Sequence, residues 1–273
     1  MLLTMKNIRL LVLPLIAAFC WSCSPKNIDK TKAPDLKLVW SDEFNYSGRP
    51  DTGKWAYDIG GHGWGNQELQ YYTDRSENAR VDGSKLIIDA RKEDFKGSNY
   101  TSCRLVTRGK AEWRYGRFEI RAKLPQGLGT WPAIWMLAAR QHYGDEYWPH
   151  NGEIDIMEHV GYDQGFVHSS IHTKAFYHSI GTQKTAKVLI PTASTEFHTY
   201  RIDWTRDAIT AYVDDKLYFT FANDGQGWEH WPYDQPFYLL LNIAFGGGWG
   251  GAKGIDPGVL PQRMEVDWVR VWQ

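Results

Sequence analysis

Three closely spaced carboxylates are the residues of this chain whose types and positions suggest chemistry. Glu153, Asp155 and Glu158 interrupt an otherwise apolar run. On a helix, at about 100° per residue, their side chains would point in different directions and leave no apolar face. On a regular strand Glu153 and Asp155 share one face, whereas Glu158 falls on the other because side chains alternate. One extra residue in a β-bulge near Ile156-Met157 would bring all three acids to the same face.

Two glutamates that face one cleft are the minimal apparatus for hydrolysing a glycosidic bond. One must be ionised to act as the nucleophile, and the other must hold a proton for the leaving oxygen, which requires a raised pKa. With a bulge, Glu153 and Glu158 would lie about four strand steps apart, or roughly 13 Å between their Cα atoms. Side chains that lean together would leave about 5–6 Å between the carboxyls, near the spacing of retaining enzymes. Asp155 between them would push the pKa values of its neighbours apart.

Three other interpretations of the acidic segment stay open on the residues alone. The first is a hard-cation site, although Ile and Met alternate with the acids too tightly for a Ca²⁺ loop. The second is a sugar-binding, lectin-like sandwich, which would use tryptophans but would not need three aligned acids. The third is a solvated, charged strand edge, which the spacing of the acids and the flanking tryptophans disfavour.

Alternation of apolar and polar residues recurs along the rest of the chain. It is clearest in residues 118–124, and residues 209–213 and 217–221 flank an Asp-Asp-Lys turn that is typical of a hairpin. From Leu36 onward no sustained helical period, repeat or domain boundary is visible. Many short strands separated by Gly, Pro and Asp predict one all-β domain over residues 36–273, an antiparallel sandwich or barrel.

The composition excludes several classes of protein. The chain has 273 residues, of which 42% are hydrophobic and 23% charged, so it can build a substantial core and is not disordered. A net charge of −1, with basic and acidic residues spread along the chain, gives no footprint for nucleic acid. The 14 tryptophans exceed what core packing needs, so some of them are expected to form a binding surface.

The first 35 residues read as a targeting segment. Lys6 and Arg9 precede a short apolar run that cannot span a bilayer, and small and polar residues then lead to Cys23. The pattern predicts a lipoprotein signal peptide over residues 1–22, lipidation at Cys23 and a polar tether over residues 23–35. The protein is then exported and anchored, most simply in the outer membrane; an ordinary cleaved secretory signal is the alternative. Only Cys103 would remain in the mature domain, which excludes a disulfide framework.

Several motifs follow one another in an order that resembles a known family. They are WSDEF at 40–44, GWGNQELQYYT at 63–73, YGRFEIRAKLP at 115–125, WPAIWM at 131–136, GEIDIME at 152–158 and DWVRVW at 267–272. Together they resemble glycoside hydrolase family 16 from about Leu36 to Gln273. The additional residue before the last Glu of the acidic motif is typical of the laminarinase-like members.

The resemblance implies a β-jelly-roll of two curved antiparallel sheets with an open cleft for a glucan chain. It also implies endo-cleavage with retention of configuration and no cofactor for catalysis. By position in the motif, Glu153 is expected to be the nucleophile, Glu158 the general acid/base, and Asp155 the residue that assists Glu153. Trp131 and Trp135 are expected to stack on sugar rings beside the scissile bond.

The resemblance also implies residues outside the acidic segment. Asn66, Arg104, His172 and Trp249 are expected to line the cleft, although His172 taken alone fits a structural histidine equally well. A structural Ca²⁺ away from the cleft is also implied, with a role in stability. Its expected ligands, which could instead simply form surface hydrogen bonds, are Glu43, the carbonyl of Gly83 and Asp267.

The expected function is that of a monomeric endo-β-glucanase. Its substrate would be β-1,3-glucan such as laminarin, mixed-linkage β-1,3-1,4-glucan, or both. An endo-hydrolase of a marine galactan of the agarose or carrageenan type is one alternative, which the glycine-rich loop 246–251 disfavours. A non-catalytic glycan-binding lipoprotein is the other.

Overall fold

The computed structural model describes residues 36–273, which form one compact unit. The predicted signal peptide, Cys23 and the tether lie outside the described residues, so those assignments stay predictions. Within residues 36–273 no helix has both the length and the apolar character needed to cross a bilayer.

The predicted all-β fold is confirmed, since the described residues form eighteen strands and two short 3₁₀ turns (His178–Ile180 and Pro257–Val259). In chain order the strands are β1 (Leu38–Asp42), β2 (Ser47–Gly48), β3 (Ala56–Tyr57), β4 (Gln70–Tyr72), β5 (Ala79–Asp82), β6 (Leu86–Phe95), β7 (Ser98–Ser102), β8 (Arg104–Val106), β9 (Gly116–Lys123), β10 (Thr130–Ala138), β11 (Glu153–His159), β12 (Phe166–His172), β13 (Lys184–Leu189), β14 (His198–Trp204), β15 (Ala208–Val213), β16 (Lys216–Ala222), β17 (Phe237–Phe245) and β18 (Gln262–Trp272).

The strands form two sheets. A seven-stranded sheet has the order β13-β12-β11-β10-β17-β8-β3, and all of its pairs are antiparallel. An eleven-stranded sheet follows the order β16-β15-β14-β9-β18-β6-β5-β2, with β1 beside β18 and with β7 joining β4 to β6. The acidic segment is β11, near the middle of the smaller sheet, so neighbouring strands support it on both sides.

One hydrophobic core, to which both sheets contribute side chains, fills the sandwich. On β9, Phe118, Ile120 and Ala122 are fully buried, as the alternation of this segment predicted. On β11, Ile154, Ile156 and Met157 belong to the same core. These apolar residues anchor β11 from below and leave its opposite face for the acids.

The core also contains the free Cys103, which is fully buried. Burial raises the pKa of its thiol well above the ordinary value. This thiol is therefore a small, unreactive core residue, as expected for a lone Cys among apolar neighbours.

Candidate active site

A β-bulge in β11 aligns the three acids, at the position that the sequence predicted. Against β12, Asp155 pairs with Ser170 and Glu158 with His168, so two residues of β11 lie opposite one residue of β12. Against β10, the register likewise shifts at Ile156. Ile156 and Met157 are consecutive and both fully buried, which returns Glu158 to the face of Glu153 and Asp155.

Neighbouring strands contribute further side chains to the same face. On β10, the residues opposite the three acids are Leu137, Trp135 and Ala133. Trp131 lies two residues before Ala133 and therefore faces the same way. On β12, His172 lies directly opposite Glu153. Antiparallel pairing thus gathers acids, indoles and imidazoles that are distant in the sequence.

Glu153 is held by three aromatic neighbours. The indole Nε1 of Trp148 donates a hydrogen bond of 2.7 Å to its Oε2, and His172 Nε2 lies 3.8 Å from its Oε1. The buried hydroxyl of Tyr233 is 3.1 Å from the Glu153 carbonyl and 2.9 Å from that of His172, which ties β11 to β12 at this level. Gly152 has a φ of 85°, and a Cβ there would lie 2.9 Å from Tyr233, so glycine is needed immediately before Glu153.

Glu158 has a matching indole partner on β10. The Nε1 of Trp131 donates a hydrogen bond of 2.9 Å to Glu158 Oε1. Trp249 packs edge-on against Trp131 with ring centroids 5.5 Å apart, and His168 supports Trp249 at 5.0 Å. The glycine-rich loop therefore delivers Trp249 to the Glu158 end of the site.

Burial and mutual repulsion raise the pKa values of all three carboxyls. Burial raises the pKa of Glu153 to about 8, and the charge of Asp155 adds to the increase. Burial raises the pKa of Glu158 to about 7, although the Trp131 hydrogen bond opposes the increase. Burial, with the charge of Glu158, raises the pKa of Asp155 well above its usual range. The site therefore retains protons near neutral pH, which general acid catalysis requires.

The acids open into a cleft of about 440 Å³ that also contains the predicted Asn66, Arg104, Trp131 and Trp135. The guanidinium of Arg104 lies between the rings of Trp64 and Trp135, 4.7 Å from each centroid, and pairs with buried Asp58 at 3.2 Å. Asn66 contacts Glu68 at 3.4 Å. Concave shape, aromatic walls and a few polar groups are what a sugar-binding cleft requires.

Of the predicted cleft residues, His172 and Trp249 do not line the cleft itself. His172 is only 5% exposed, but its Nε2 is 3.4 Å from Asp155 Oδ2, so it belongs to the acid cluster. Trp249 reaches the site through Trp131 and His168. The structure therefore brings all nine predicted catalytic and cleft residues into one region.

Sequence reasoning missed several residues of this site. Trp148 is the most important of them, and its signal was a Trp-Pro pair five residues before Glu153, like the Trp131-Pro132 pair that was recognised. Glu68 and Asn242 had weaker signals. Asn242 accepts a hydrogen bond of 2.7 Å from Trp135 Nε1, and burial raises the pKa of Glu68.

The predicted calcium ligands lie away from the acids, at the eleven-stranded sheet. Glu43, just after β1, accepts hydrogen bonds of 3.0 and 2.8 Å from Arg270, and Asp267 on β18 pairs with Arg121. The Glu43 and Asp267 side chains are 37% and 33% exposed, and pairs this exposed contribute at most about 1 kcal/mol. Carboxylate and carbonyl oxygens are ligand types that Ca²⁺ takes, and these three would supply part of its six to eight ligands, with water completing the shell. In this structure arginines pair with both carboxylates, so the calcium site stays a prediction.

Comparison with known proteins agrees with this geometry. Residues 64–270 match the sequence model of the family "Glycosyl hydrolases family 16". A β-glucanase from Rhodothermus marinus is 60% identical over 92% of this chain and 90% of its own length. The solved laminarinase from Rhodothermus marinus has a TM-score of 0.87 and 59% identity, and the match covers 89% of this chain and 99% of that one.

A second solved structure, a non-specific endo-β-1,3(4)-glucanase of the same family, is 48% identical with a TM-score of 0.83. That match covers 88% of this chain and 92% of the other. The chain belongs to glycoside hydrolase family 16, and its fold is the jelly-roll sandwich of that family.

Proposed function

We propose that this protein is a retaining endo-β-glucanase that hydrolyses β-1,3-glucan, mixed-linkage β-1,3-1,4-glucan, or both. The observation that carries the proposal is the bulge of β11, which turns Glu153, Asp155 and Glu158 toward one aromatic cleft. The similarity to a β-glucanase and to laminarinases supports this choice of substrate. The similarity to a non-specific endo-β-1,3(4)-glucanase supports internal cleavage of the chain.

In the proposed mechanism Glu153 attacks the anomeric carbon while Glu158 protonates the leaving oxygen. Glu158 then deprotonates the water that hydrolyses the glycosyl-enzyme intermediate and releases the sugar from Glu153. The pKa of Glu153 is raised further than that of Glu158, to about 8 against about 7, so Glu153 needs help to be ionised. Asp155 provides it, because neighbouring carboxyls titrate as a pair and a proton on Asp155 leaves the charge on Glu153.

The tryptophans complete the proposed site. Trp131 and Trp135 offer faces on which sugar rings stack, and Trp131 also fixes the Glu158 carboxyl by its hydrogen bond. Arg104, which two indoles hold in place, and Asn66 supply hydrogen bonds to hydroxyls at the cleft wall. His172 lies beside Asp155, with its Nε2 3.4 Å from Asp155 Oδ2, and Trp249 supports Trp131 by packing edge-on against it.

A substrate panel tests the function directly. We expect reducing sugars to be released from laminarin, lichenan or barley mixed-linkage glucan, and none from agarose. Product lengths over time separate internal from terminal cleavage. Activity on agarose alone would favour the galactanase alternative, and binding without hydrolysis of any glucan would favour the glycan-binding alternative.

Chemical rescue tests the two glutamate roles. We expect Glu153→Ala and Glu158→Ala each to lose several orders of magnitude in kcat, as for other paired catalytic carboxylates. Azide should restore turnover with inverted configuration only in Glu153→Ala, because it fills the space of the nucleophile. Glu229→Ala, which removes an exposed glutamate paired with Lys174, is the control and should keep full activity. Rescue of both variants with inversion would contradict the assignment.

We further propose that Glu43, the Gly83 carbonyl and Asp267 hold a structural Ca²⁺ with no part in catalysis. We also propose that residues 1–22 are removed as a lipoprotein signal, that Cys23 is lipidated, and that the exported enzyme is anchored in the outer membrane. Palmitate labelling of cells that express the protein, with Cys23→Ala as control, would reveal the lipid. Unlabelled wild-type protein would favour an ordinary secretory signal.

A further inference from the structure

A second chemical capability lies within the acid cluster. Glu153, Asp155 and His172 each present one metal-ligating atom, and these atoms all lie within 4.8 Å of one another. The pairing of β11 with β12 creates this proximity, because Glu153 lies opposite His172 and Asp155 opposite the neighbouring Ser170. Glu158 and Trp131 lie outside this group, so it is distinct from the acid/base end of the site.

The spacing fits a small tetrahedral cation. Bonds of about 2.0–2.2 Å from Zn²⁺ to imidazole nitrogen and carboxylate oxygen place neighbouring ligands roughly 3.3–3.5 Å apart. His172 Nε2 is 3.4 Å from Asp155 Oδ2 and 3.8 Å from Glu153 Oε1. The first distance already matches, and the second needs a small movement of the Glu153 side chain.

Unsatisfied polar atoms at this position indicate that it can accept a ligand. Asp155 is 2% exposed, and its Oδ2 has no hydrogen-bond partner although it points toward His172 Nε2. Glu153 gives its Oε2 to Trp148 and turns Oε1 toward His172. A buried carboxylate oxygen without a partner requires a proton, a water or a cation.

We propose that Glu153, Asp155 and His172 form a binding site for a borderline divalent cation, represented by Zn²⁺, that blocks the enzyme when filled. One imidazole and two carboxylates suit Zn²⁺, whereas Ca²⁺ requires six to eight oxygen ligands and Mg²⁺ prefers oxygen alone. Glu153 and Asp155 both line the cleft, from which water can supply a fourth ligand. Blocking follows from the proposed function, because the cation occupies Glu153 and Asp155.

Calorimetry of the full-length, metal-free protein with ZnCl₂ tests binding without any need for activity. We expect one Zn²⁺ per chain, and an affinity at least about tenfold weaker in His172→Gln and in Asp155→Asn. His230→Gln is the matched control. Like His172, His230 lies beside a carboxylate, with its Nδ1 2.8 Å from Asp224 Oδ2, but it is outside this cluster. Thermal unfolding of each metal-free variant shows whether it is folded. If His172→Gln does not fold, the Zn²⁺ affinity of Asp155→Asn tests the site instead.

The second arm measures glucan hydrolysis. We expect Zn²⁺ to inhibit the wild-type enzyme and His230→Gln equally, and EDTA to restore both rates. The site would be overturned if Zn²⁺ did not bind the wild-type protein, or if it bound the His172 and Asp155 variants as tightly as it binds the wild type. Binding without inhibition would overturn its blocking role. A zinc-free wild-type protein that hydrolyses no glucan would instead contradict the proposed function, while the calorimetry would still decide the metal site.

Discussion

At the scale of single residues, two indoles hold the two glutamates. Trp148 donates to Glu153 and Trp131 donates to Glu158, at 2.7 and 2.9 Å. Each indole has a single N–H donor, so it binds one oxygen of the carboxyl and leaves the second without an indole partner. The surroundings of the two glutamates differ in one respect. Asp155 lies between them on β11, but His172 approaches only Glu153.

The raised pKa values carry a cost in stability that depends on pH. The pKa of Glu158 rises from its ordinary 4.5 to about 7 in the folded protein. Between these values the folded state binds more protons than the unfolded state, so the free energy of unfolding falls as pH rises. Stability from this group is complete below pH 4.5 and is lost as pH passes about 7.

We therefore expect Glu158→Gln to be more stable than the wild type at pH 8 and to lose glucan hydrolysis. The amide keeps the acceptor for Trp131 but removes the buried charge. The melting temperature should rise by several degrees at pH 8, and the difference should shrink toward pH 4 because Glu158 is then protonated in both states. Calorimetric melting at both pH values measures this. If the difference in melting temperature between Glu158→Gln and the wild type did not change with pH, ionisation of the buried Glu158 carboxyl would not be what destabilises the wild type.

At the scale of elements, the bulge of β11 keeps an additional residue from disturbing the acids. Ile156 and Met157 both enter the core, so the alternation resumes at Glu158 in the correct phase. Removing one of them leaves a regular strand with acids at every second position. The bulge therefore preserves the alignment, and it also adds one buried side chain to the core.

Two single-residue deletions in β11 would separate alignment from packing. Deleting Ile156 or Ile154 removes one fully buried isoleucine from the same strand. Deleting Ile156 keeps all three acids on one face, whereas deleting Ile154 makes Glu153 and Asp155 adjacent and turns one of them inward. We expect measurable glucan hydrolysis only in the Ile156 deletion, and a lower melting temperature in the Ile154 deletion because one acid then faces the core. Equal loss of activity in both would contradict the role assigned to register.

At the scale of the whole molecule, the two sheets divide the work. The seven-stranded sheet contributes the acids and the tryptophans of β10, while the eleven-stranded sheet carries the predicted calcium ligands. Catalysis and the proposed ion are thus separated by the core. Stability gained at one sheet need not change the chemistry at the other.

We expect Ca²⁺ to stabilise the protein without changing kcat at a temperature where it is folded. An ion that binds only the folded state raises stability by about 2.7 kcal/mol at a hundred times its Kd. The melting temperature should fall with EGTA and recover with Ca²⁺, and Asp267→Asn should abolish the response. An unchanged melting temperature would show that Arg121 and Arg270 remain paired with these carboxylates, and would rule out the proposed calcium site.

Much of this fold and site was predictable because the information is local. Alternation identified β9, β15 and β16, and the parity of the three acids predicted the bulge. The motifs then gave the sandwich and the nine residues of the site. Trp148 and Asn242 were not predicted: the Trp148-Pro149 pair marks a possible site residue but does not show that its indole folds back onto Glu153. The same holds for the partly buried arginines, Arg121 and Arg270, that pair with Asp267 and Glu43.

The sequence by itself determined which residues can do the chemistry, and that a bulge must align them, because strand parity follows from backbone geometry alone. Only the tertiary structure decided how much charge those residues can carry. Desolvation, the two indole donors and the approach of His172 from β12 depend on strands paired across distant parts of the chain. The pKa values of the acids and the metal-sized gap between Asp155 and His172 exist only after those strands have met.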